Sequence, residues 1–150
     1  MEWHTHMASG ILLGYYATHD WKGALVGGIA GVIPDIDEPK SKFGKYIPFI
    51  SYPLKKTVGH RTLTHSLLFA ILCSAILLIA TQEIKISLAF GVGIIAHALG
   101  DMLTGTVQFF YPYKKKIGIR IPYFLFKVID YIAYVVIMGL IVYETAKYIM

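Results

Sequence analysis

Two long apolar stretches are the features that most constrain the fold of this chain. One runs from Leu67 to Ala80, and the other runs from Pro122 to Tyr148 and is long enough to span a bilayer with tilt. Hydrophobic residues make up 56% of the chain and charged residues only 15%, against about 25% charged residues in a typical soluble domain. A soluble protein of 150 residues could hardly bury so much apolar surface, so the composition predicts an integral membrane protein.

The apolar pattern predicts an all-α fold, a polytopic membrane bundle of about five helices in a single domain that covers residues 1–150. The predicted helices cover residues 5–17, 22–33, 63–81, 86–103 and 122–148. The first two are shorter than the roughly 20 residues that cross a membrane, so they form a half-inserted hairpin or pack against the others. Glycines at four-residue spacing in these two helices, such as Gly10 with Gly14 and Gly23 with Gly27, predict close helix packing.

The distribution of basic residues predicts an orientation. The segment from Pro34 to Arg61 and the segment from Gly105 to Ile121 carry most of the lysines and arginines, whereas the opposite turns hold only Lys22 and Lys85. By the positive-inside rule both basic segments are cytoplasmic in a multi-pass membrane protein. Anionic membrane lipids are the partners that such loops favour. The short run of lysines at 114–116 lies beside the membrane, so nucleic-acid binding is not expected, and the sequence leaves the oligomeric state open.

Polar residues that bind metals fall at one end of this predicted bundle. His97 and Asp101 lie four residues apart on an apolar helix, which places both side chains on one face. Three further segments return to the same side of the membrane: Thr5-His6, Pro34-Asp35-Ile36-Asp37 and His60-Arg61-Thr62-Leu63-Thr64-His65. Membrane insertion does not require this convergence, so it predicts a site that faces the cytoplasm.

The residue types of this cluster predict metal binding. Imidazole and carboxylate ligands suit Zn²⁺ best and suit Mn²⁺ or Fe²⁺ less well. The candidates outnumber the ligands of a single ion and leave room for two; they are His6, Asp35, Asp37, His60, His65, His97 and Asp101. Arg61 suits a phosphate oxygen, because its guanidinium is bidentate and always charged. Each piece also has a structural interpretation: His97 alone suits a hydrogen-bonded core residue, and the two aspartates could simply cap a helix end.

The same residues, in the same order, resemble the YdjM family, whose members are regarded as inner-membrane metal-dependent hydrolases. The resemblance extends over about residues 5–112, and His60-Arg61-x-x-Thr64-His65-Ser66 is its most specific element. It implies kinship with the zinc-dependent phospholipase C and nuclease superfamily, whose members are all-helical. By motif match the metal ligands would be His6, Asp35 or Asp37, His60, His65, His97 and Asp101. His97-x-x-x-Asp101-x-x-Thr104 completes the pattern, with Arg61 and Thr104 as substrate-binding residues.

Together these features predict a membrane-bound metal-dependent hydrolase that cleaves a phosphoester of a lipid or another amphiphile through a metal-activated water. Of Asp35 and Asp37, the one that does not bind the metal would be the catalytic base, and Arg61 would assist. Two alternatives remain open. A metal- or proton-coupled transporter would need a polar path to the far side of the membrane, whereas an adaptor would use the metal only to hold its fold.

Overall fold

A computed structural model describes the backbone of residues 1–149 and the side chains of residues 1–147. It is predominantly α-helical, as predicted. Six α-helices lie within these residues: α1 (Trp3–Thr18), α2 (Trp21–Ala30), α3 (Pro48–Thr57), α4 (Leu67–Thr81), α5 (Ile84–Thr104) and α6 (Tyr123–Ile149). Three short 3₁₀ turns, Pro34–Asp37, Gly44–Tyr46 and Leu63–His65, lie between helices, and the strands β1 (Thr106–Val107) and β2 (Ile117–Gly118) pair in antiparallel fashion.

Four of the predicted helices match α1, α2, α5 and α6 to within a few residues, but the helix predicted from Leu63 begins later. Leu63–His65 forms a separate 3₁₀ turn, and α4 begins at Leu67 after the N-cap Ser66, whose hydroxyl accepts a hydrogen bond from the Phe69 N–H at 3.1 Å. Serine is a favoured N-cap residue because its oxygen replaces a missing backbone acceptor. His65 therefore lies in the turn that precedes α4 and not in the helix itself.

Helix α3 is the element that the sequence interpretation missed, because its prolines suggested a loop. Pro48 occupies the first turn, where a helical N–H has no acceptor in any case, and Pro53 removes only one backbone bond of a ten-residue helix. Ser51 is fully buried and its hydroxyl donates a hydrogen bond to the Gly44 carbonyl at 2.8 Å. Tertiary packing on the neighbouring 3₁₀ turn therefore holds α3 in place.

Two of the described helices, α5 and α6, are long and apolar enough to cross a membrane. Helix α4 is equally apolar but has only 15 residues, and α1 and α2 have 16 and 10. Of the five helices predicted from the sequence, α5 and α6 are the ones that reach the length and hydropathy of a membrane span within the described residues. Helix α6 is almost entirely exposed over its span, as expected for a helix that contacts lipid, whereas half of α5 is buried by other helices.

The centre of the fold is a tight contact of α1, α2 and α5 along glycines, which confirms the predicted close packing. A Cβ atom at Gly27 would lie 2.9 Å from the Cα of Gly14 and closer still to the Gly10 carbonyl oxygen. Gly93 of α5 meets the Gly27 carbonyl in the same way. Backbones can approach this closely only where side chains are absent. The contact fixes the ends of α1, α2 and α5 relative to one another, and the polar cluster lies at those ends.

Helix α6 is attached to the beginning of α1 through polar contacts. The carboxylate of Asp130 is buried, accepts a hydrogen bond from the Glu2 N–H at 2.9 Å and lies 3.9 Å from His4 Nε2. Lys127 pairs with Glu2 at 2.5 Å. The beginning of α1 thus supplies a partner for each of these two side chains of α6.

Candidate metal centre

The structure brings the four polar segments together at one end of the bundle. His6 comes from the first turns of α1, Asp35 and Asp37 from the 3₁₀ turn after α2, His65 from the 3₁₀ turn before α4, and His97 and Asp101 from the last turns of α5. All of these side chains except Asp35 are nearly inaccessible to solvent, and Asp35 is partly so. Imidazoles and carboxylates buried at such a density need partners for each polar atom.

His97 lies at the centre of the cluster and its orientation is fixed. Its Nδ1 atom is 2.7 Å from the carbonyl oxygen of Gly31, which accepts a hydrogen bond and so requires the proton on Nδ1. The Nε2 lone pair is then directed into the cluster. Gly31 allows this arrangement, because a Cβ there would lie 2.6 Å from the His6 carbonyl oxygen. Backbone carbonyls and carboxylates commonly fix metal-binding histidines in this manner.

His65 is oriented by a relay of hydrogen bonds. The Thr64 hydroxyl donates to Asp37 Oδ2, and the same hydroxyl oxygen lies 3.0 Å from His65 Nδ1. This leaves His65 Nε2 facing His97 Nε2 at 3.1 Å. Burial lowers the pKa of His65, but hydrogen bonds with Asp101 and Asp37 outweigh it and raise this pKa to about 9.

His6 completes the histidine group and has no well-formed hydrogen bond. Its ring stacks on that of His97 with the centroids 3.6 Å apart. Neither ring nitrogen has a hydrogen-bond partner with acceptable geometry, although Nε2 lies 3.3 Å from Asp101 Oδ1. A fully buried imidazole without a partner is costly, which makes His6 a candidate metal ligand.

The carboxylate of Asp101 contacts basic groups from several elements of the fold. One of its oxygens lies 2.6 Å from the α-amino group of Met1 and 3.3 Å from His6 Nε2, and the other lies 2.8 Å from Arg61 Nε and 3.4 Å from His65 Nε2. Arg61 adopts a left-handed backbone conformation with φ of 60°, and its side chain is partly exposed. A Cβ at Gly105 would collide with its guanidinium, so the glycine makes room for this arginine.

The two aspartates of the Pro34–Asp37 turn have different surroundings. Asp35 Oδ1 lies 3.6 Å from His97 Nε2, and burial raises the pKa of this carboxyl, with partial compensation by His6. Asp37 instead contacts His60 Nδ1 at 2.6 Å and the Arg61 N–H at 3.3 Å, besides Thr64. Burial acts to raise the pKa of Asp37, but the hydrogen bonds with His60 and His65 dominate and hold it well below its usual range.

These contacts produce two overlapping groups with the spacing of metal ligands. His6, Asp35 and His97 form one group, and His65, His97 and Asp101 form the other, with the ligand atoms of each group within 4.8 Å of one another. Zn–N bonds of about 2.05 Å in a tetrahedron place two ligand atoms about 3.3 Å apart. The distances of 3.1 Å between His65 and His97 and 3.4 Å between His65 and Asp101 are close to that value, whereas His97 Nε2 lies 3.9 Å from Asp101 Oδ2. The imidazole and carboxylate donors of this group suit a zinc ion.

Two of the predicted metal ligands, Asp37 and His60, lie outside both groups. Asp37 contacts His60 Nδ1 at 2.6 Å, and its other oxygen lies 3.5 Å from His65 Nδ1. The Thr104 hydroxyl accepts a hydrogen bond from the Met1 amino group at 3.2 Å beside Asp101. Sequence reasoning did not anticipate the Gly31 carbonyl or the Thr64 hydroxyl as orienting groups. The only signal for Thr64 was its position directly before His65 in the most specific motif.

The fold and the cluster together define an α-helical membrane protein with a buried histidine–aspartate cluster at one end of its helices. The sequence profile described as "YdjM inner membrane protein" matches residues 1–150, and the chain belongs to this family of inner membrane proteins.

The chain is similar to proteins of three bacteria. The chain is 30% identical over 112 residues to the "Uncharacterized protein YvsG" of Bacillus subtilis, an alignment that covers 74% of this chain and 69% of that protein. It is 36% identical over 83 residues to the "Inner membrane protein YdjM" of Escherichia coli, covering 49% of this chain and 40% of the relative, and the Shigella flexneri protein of the same name gives the same values. No solved structure matches the chain.

Proposed function

We propose that this protein is a membrane-bound metal-dependent hydrolase with a zinc site that faces the cytoplasm. The single observation that carries the proposal is the position of His97 Nε2, which belongs to both ligand groups while the Gly31 carbonyl holds the proton on Nδ1. In an imidazole fixed in this tautomer, the inward lone pair on Nε2 can accept a proton or bind a cation. The unpartnered nitrogens of His6 support the same conclusion.

The geometry supports one ion more directly than two. One imidazole nitrogen binds one metal ion, and both ligand groups require the same nitrogen of His97. A single zinc ion would draw its ligands from both groups, with His6, His65, His97 and Asp101 as the four protein ligands and Asp35 beside them. Asp37 and His60 then act outside the coordination sphere. Their contacts with His65 and with each other resemble the outer partners that orient metal ligands.

A bound zinc ion would supply a Lewis acid and lower the pKa of a coordinated water towards neutrality. The protein's own groups would perform the remaining tasks. Arg61 is charged, partly exposed and adjacent to Asp101, so its free N–H groups can bind a phosphate oxygen. Asp35 is the better candidate base, since its carboxyl is partly exposed and burial raises its pKa, whereas hydrogen bonds occupy both oxygens of Asp37. Thr104 offers a hydroxyl on the same side as Arg61.

The membrane setting supports an amphiphilic substrate. The cluster lies at the end of α5, a helix apolar and long enough to span, and the adjoining segments carry the lysines that favour anionic headgroups. A phosphodiester in a lipid headgroup would meet the metal, Arg61 and the interface together. The resemblance to the zinc-dependent phospholipase C superfamily agrees with this substrate class, and that kinship remains a prediction.

The proposal is tested first by metal content. Detergent-purified protein should hold close to one equivalent of zinc by elemental mass spectrometry. The His65→Ala and His97→Ala variants should lose it, because each removes a nitrogen ligand. His19→Asn is the matched control: His19 lies at the opposite end of α1 in a left-handed conformation that asparagine tolerates, so this variant should keep its zinc.

Hydrolysis is tested on the same samples. The zinc-loaded protein should cleave phosphodiester lipids in mixed micelles, and Arg61→Gln should lose most of that activity while it keeps zinc. Wild-type protein that folds well and takes up no divalent metal would contradict the proposal. Metal binding without hydrolysis of any phospholipid would favour a structural metal in an adaptor, whereas metal flux in proteoliposomes would favour a transporter.

A separate prediction concerns Asp37. Replacement of Asp37 by asparagine should weaken zinc affinity by about 10- to 100-fold without abolishing binding, since the variant disturbs the orientation of His65 and removes no ligand. Competition with a chelator of known affinity measures the change. An Asp37→Asn variant that bound no zinc at all would instead assign Asp37 as a ligand.

A further inference from the structure

The outer face of α3 exposes large aromatic side chains to solvent. Phe49 and Tyr52 are 73% and 65% exposed, and together with Lys56 they follow the spacing i, i+3, i+7 along one side of the helix. Ser51 and Leu54 lie on the opposite side, and Ser51 is fully buried against the preceding turn. The helix is thus amphipathic, with its polar contacts directed inward and its large apolar rings directed outward.

This face is held in a fixed position near the metal centre. Helix α3 packs on the Pro34–Asp37 turn, which carries Asp35, and on the Gly44–Tyr46 turn. Lys55 on the flank of α3 pairs with Glu38 at 2.6 Å, and the Ser51 hydroxyl binds the Gly44 carbonyl. Rotation that would bury the rings of Phe49 and Tyr52 against the protein would expose Ser51 and break its hydrogen bond with Gly44.

A further basic and aromatic pair precedes the helix in the Gly44–Tyr46 turn. Tyr46 is 70% exposed, and the ammonium group of Lys45 lies 5.0 Å from the centre of its ring. Lysines beside exposed tyrosine and phenylalanine are typical of the headgroup region, where rings enter the boundary of the acyl chains and ammonium groups meet lipid phosphates. At a rise of about 1.5 Å per residue, α3 is far too short to span and suits a position in the plane of the membrane.

We propose that α3 is an in-plane helix that binds the anionic headgroup layer of the leaflet on the side of the histidine–aspartate cluster. The positive charges of Lys45 and Lys56 complement anionic lipids, and the spanning helices hold α3 beside a bilayer at all times. The proposal does not depend on the metal or on hydrolysis. Its consequence for the cluster is that the turn carrying Asp35 lies directly beneath a surface that contacts lipid headgroups.

The experiment uses single cysteines in the full chain. With Cys73 replaced by serine, the variants Phe49→Cys, Tyr52→Cys and Lys55→Cys are labelled with an environment-sensitive fluorophore and reconstituted into nanodiscs. Lys55 is the matched control on the flank of the same helix. In discs that contain phosphatidylglycerol, the labels at 49 and 52 should show blue-shifted emission, strong quenching by spin-labelled acyl chains and little quenching by aqueous iodide. The label at 55 should show the opposite.

Two further measurements define the role of charge and the result that would overturn the proposal. Discs of phosphatidylcholine alone should reduce the lipid quenching at 49 and 52, and replacing Lys45 and Lys56 by glutamine should remove most of the difference between the two lipids. Labels at 49 and 52 that remain as open to iodide as the label at 55 would overturn the proposal. Protection that depends on protein concentration rather than on lipid would also overturn it and would assign the face to a second copy of the chain.

Discussion

Asp101→Asn is expected to be the most damaging single substitution within the cluster. The variant should retain no zinc after dialysis, and its free energy of unfolding should fall by about 3 kcal/mol. The carboxylate of Asp101 contacts Arg61 and the Met1 amino group besides two imidazoles, and it is almost fully buried. Asparagine keeps the shape but leaves these donors without a negative charge. The expected loss lies at the lower end for a broken buried pair because Arg61 can still reach water.

The matched control for this substitution is Asp130→Asn. Asp130 is also buried, but it contacts the Glu2 N–H and His4 and belongs to neither ligand group. The control variant should therefore keep its full zinc content. Thermal denaturation in detergent, followed by tryptophan fluorescence, gives the stability change, and elemental mass spectrometry gives the metal. A folded Asp101→Asn protein with wild-type zinc content would show that the second ligand group is not used.

The location of the cluster could be predicted from the sequence, whereas the roles of its members could not. Alternating helices that end on one side of a membrane bring His6, His65 and His97 to the same level, and this needs only helix positions. Helix positions alone do not give the roles of Asp35 and Asp37. These residues lie two apart on a 3₁₀ turn, in which three residues complete a revolution, so their side chains point in different directions. Which of them faces His97 depends on how that turn packs against α5, and no local pattern encodes it.

The fold shows the same division between local and tertiary information. Apolar length predicted α5 and α6, and glycine spacing predicted the contact between α1 and α2. Helix α3 was missed because proline is a strong local signal, and the burial of Ser51 that outweighs it is visible only in the assembled structure. The contact between Asp130 and the Glu2 N–H is also tertiary, since Glu2 is distant in sequence and close in space.

The largest expected effect on folding comes from a glycine rather than from the polar cluster. Gly27→Leu should give no stable, monodisperse protein, because a side chain at this position meets the backbones of Gly10 and Gly14, which cannot move aside as a side chain could. The milder Gly27→Ala should still fold, with a free energy of unfolding lower by about 3 kcal/mol, the upper end of overpacking costs. Gly139 of α6 is the matched control, since a Cβ there has no described atom within 4 Å.

The same substitution connects packing to the cluster. Gly27 holds α2 against α1 and, through its carbonyl group, against Gly93 of α5. Helices α1 and α5 carry the stacked rings of His6 and His97, so even a small separation of the helices should pull these ligands apart. Gly27→Ala is therefore expected to lower zinc affinity as well as stability, whereas Gly139→Ala and Gly139→Leu should change neither. Size-exclusion chromatography, thermal denaturation and chelator competition measure the three effects. A Gly27→Leu protein that folds and binds zinc like the wild type would refute the close approach of these helices.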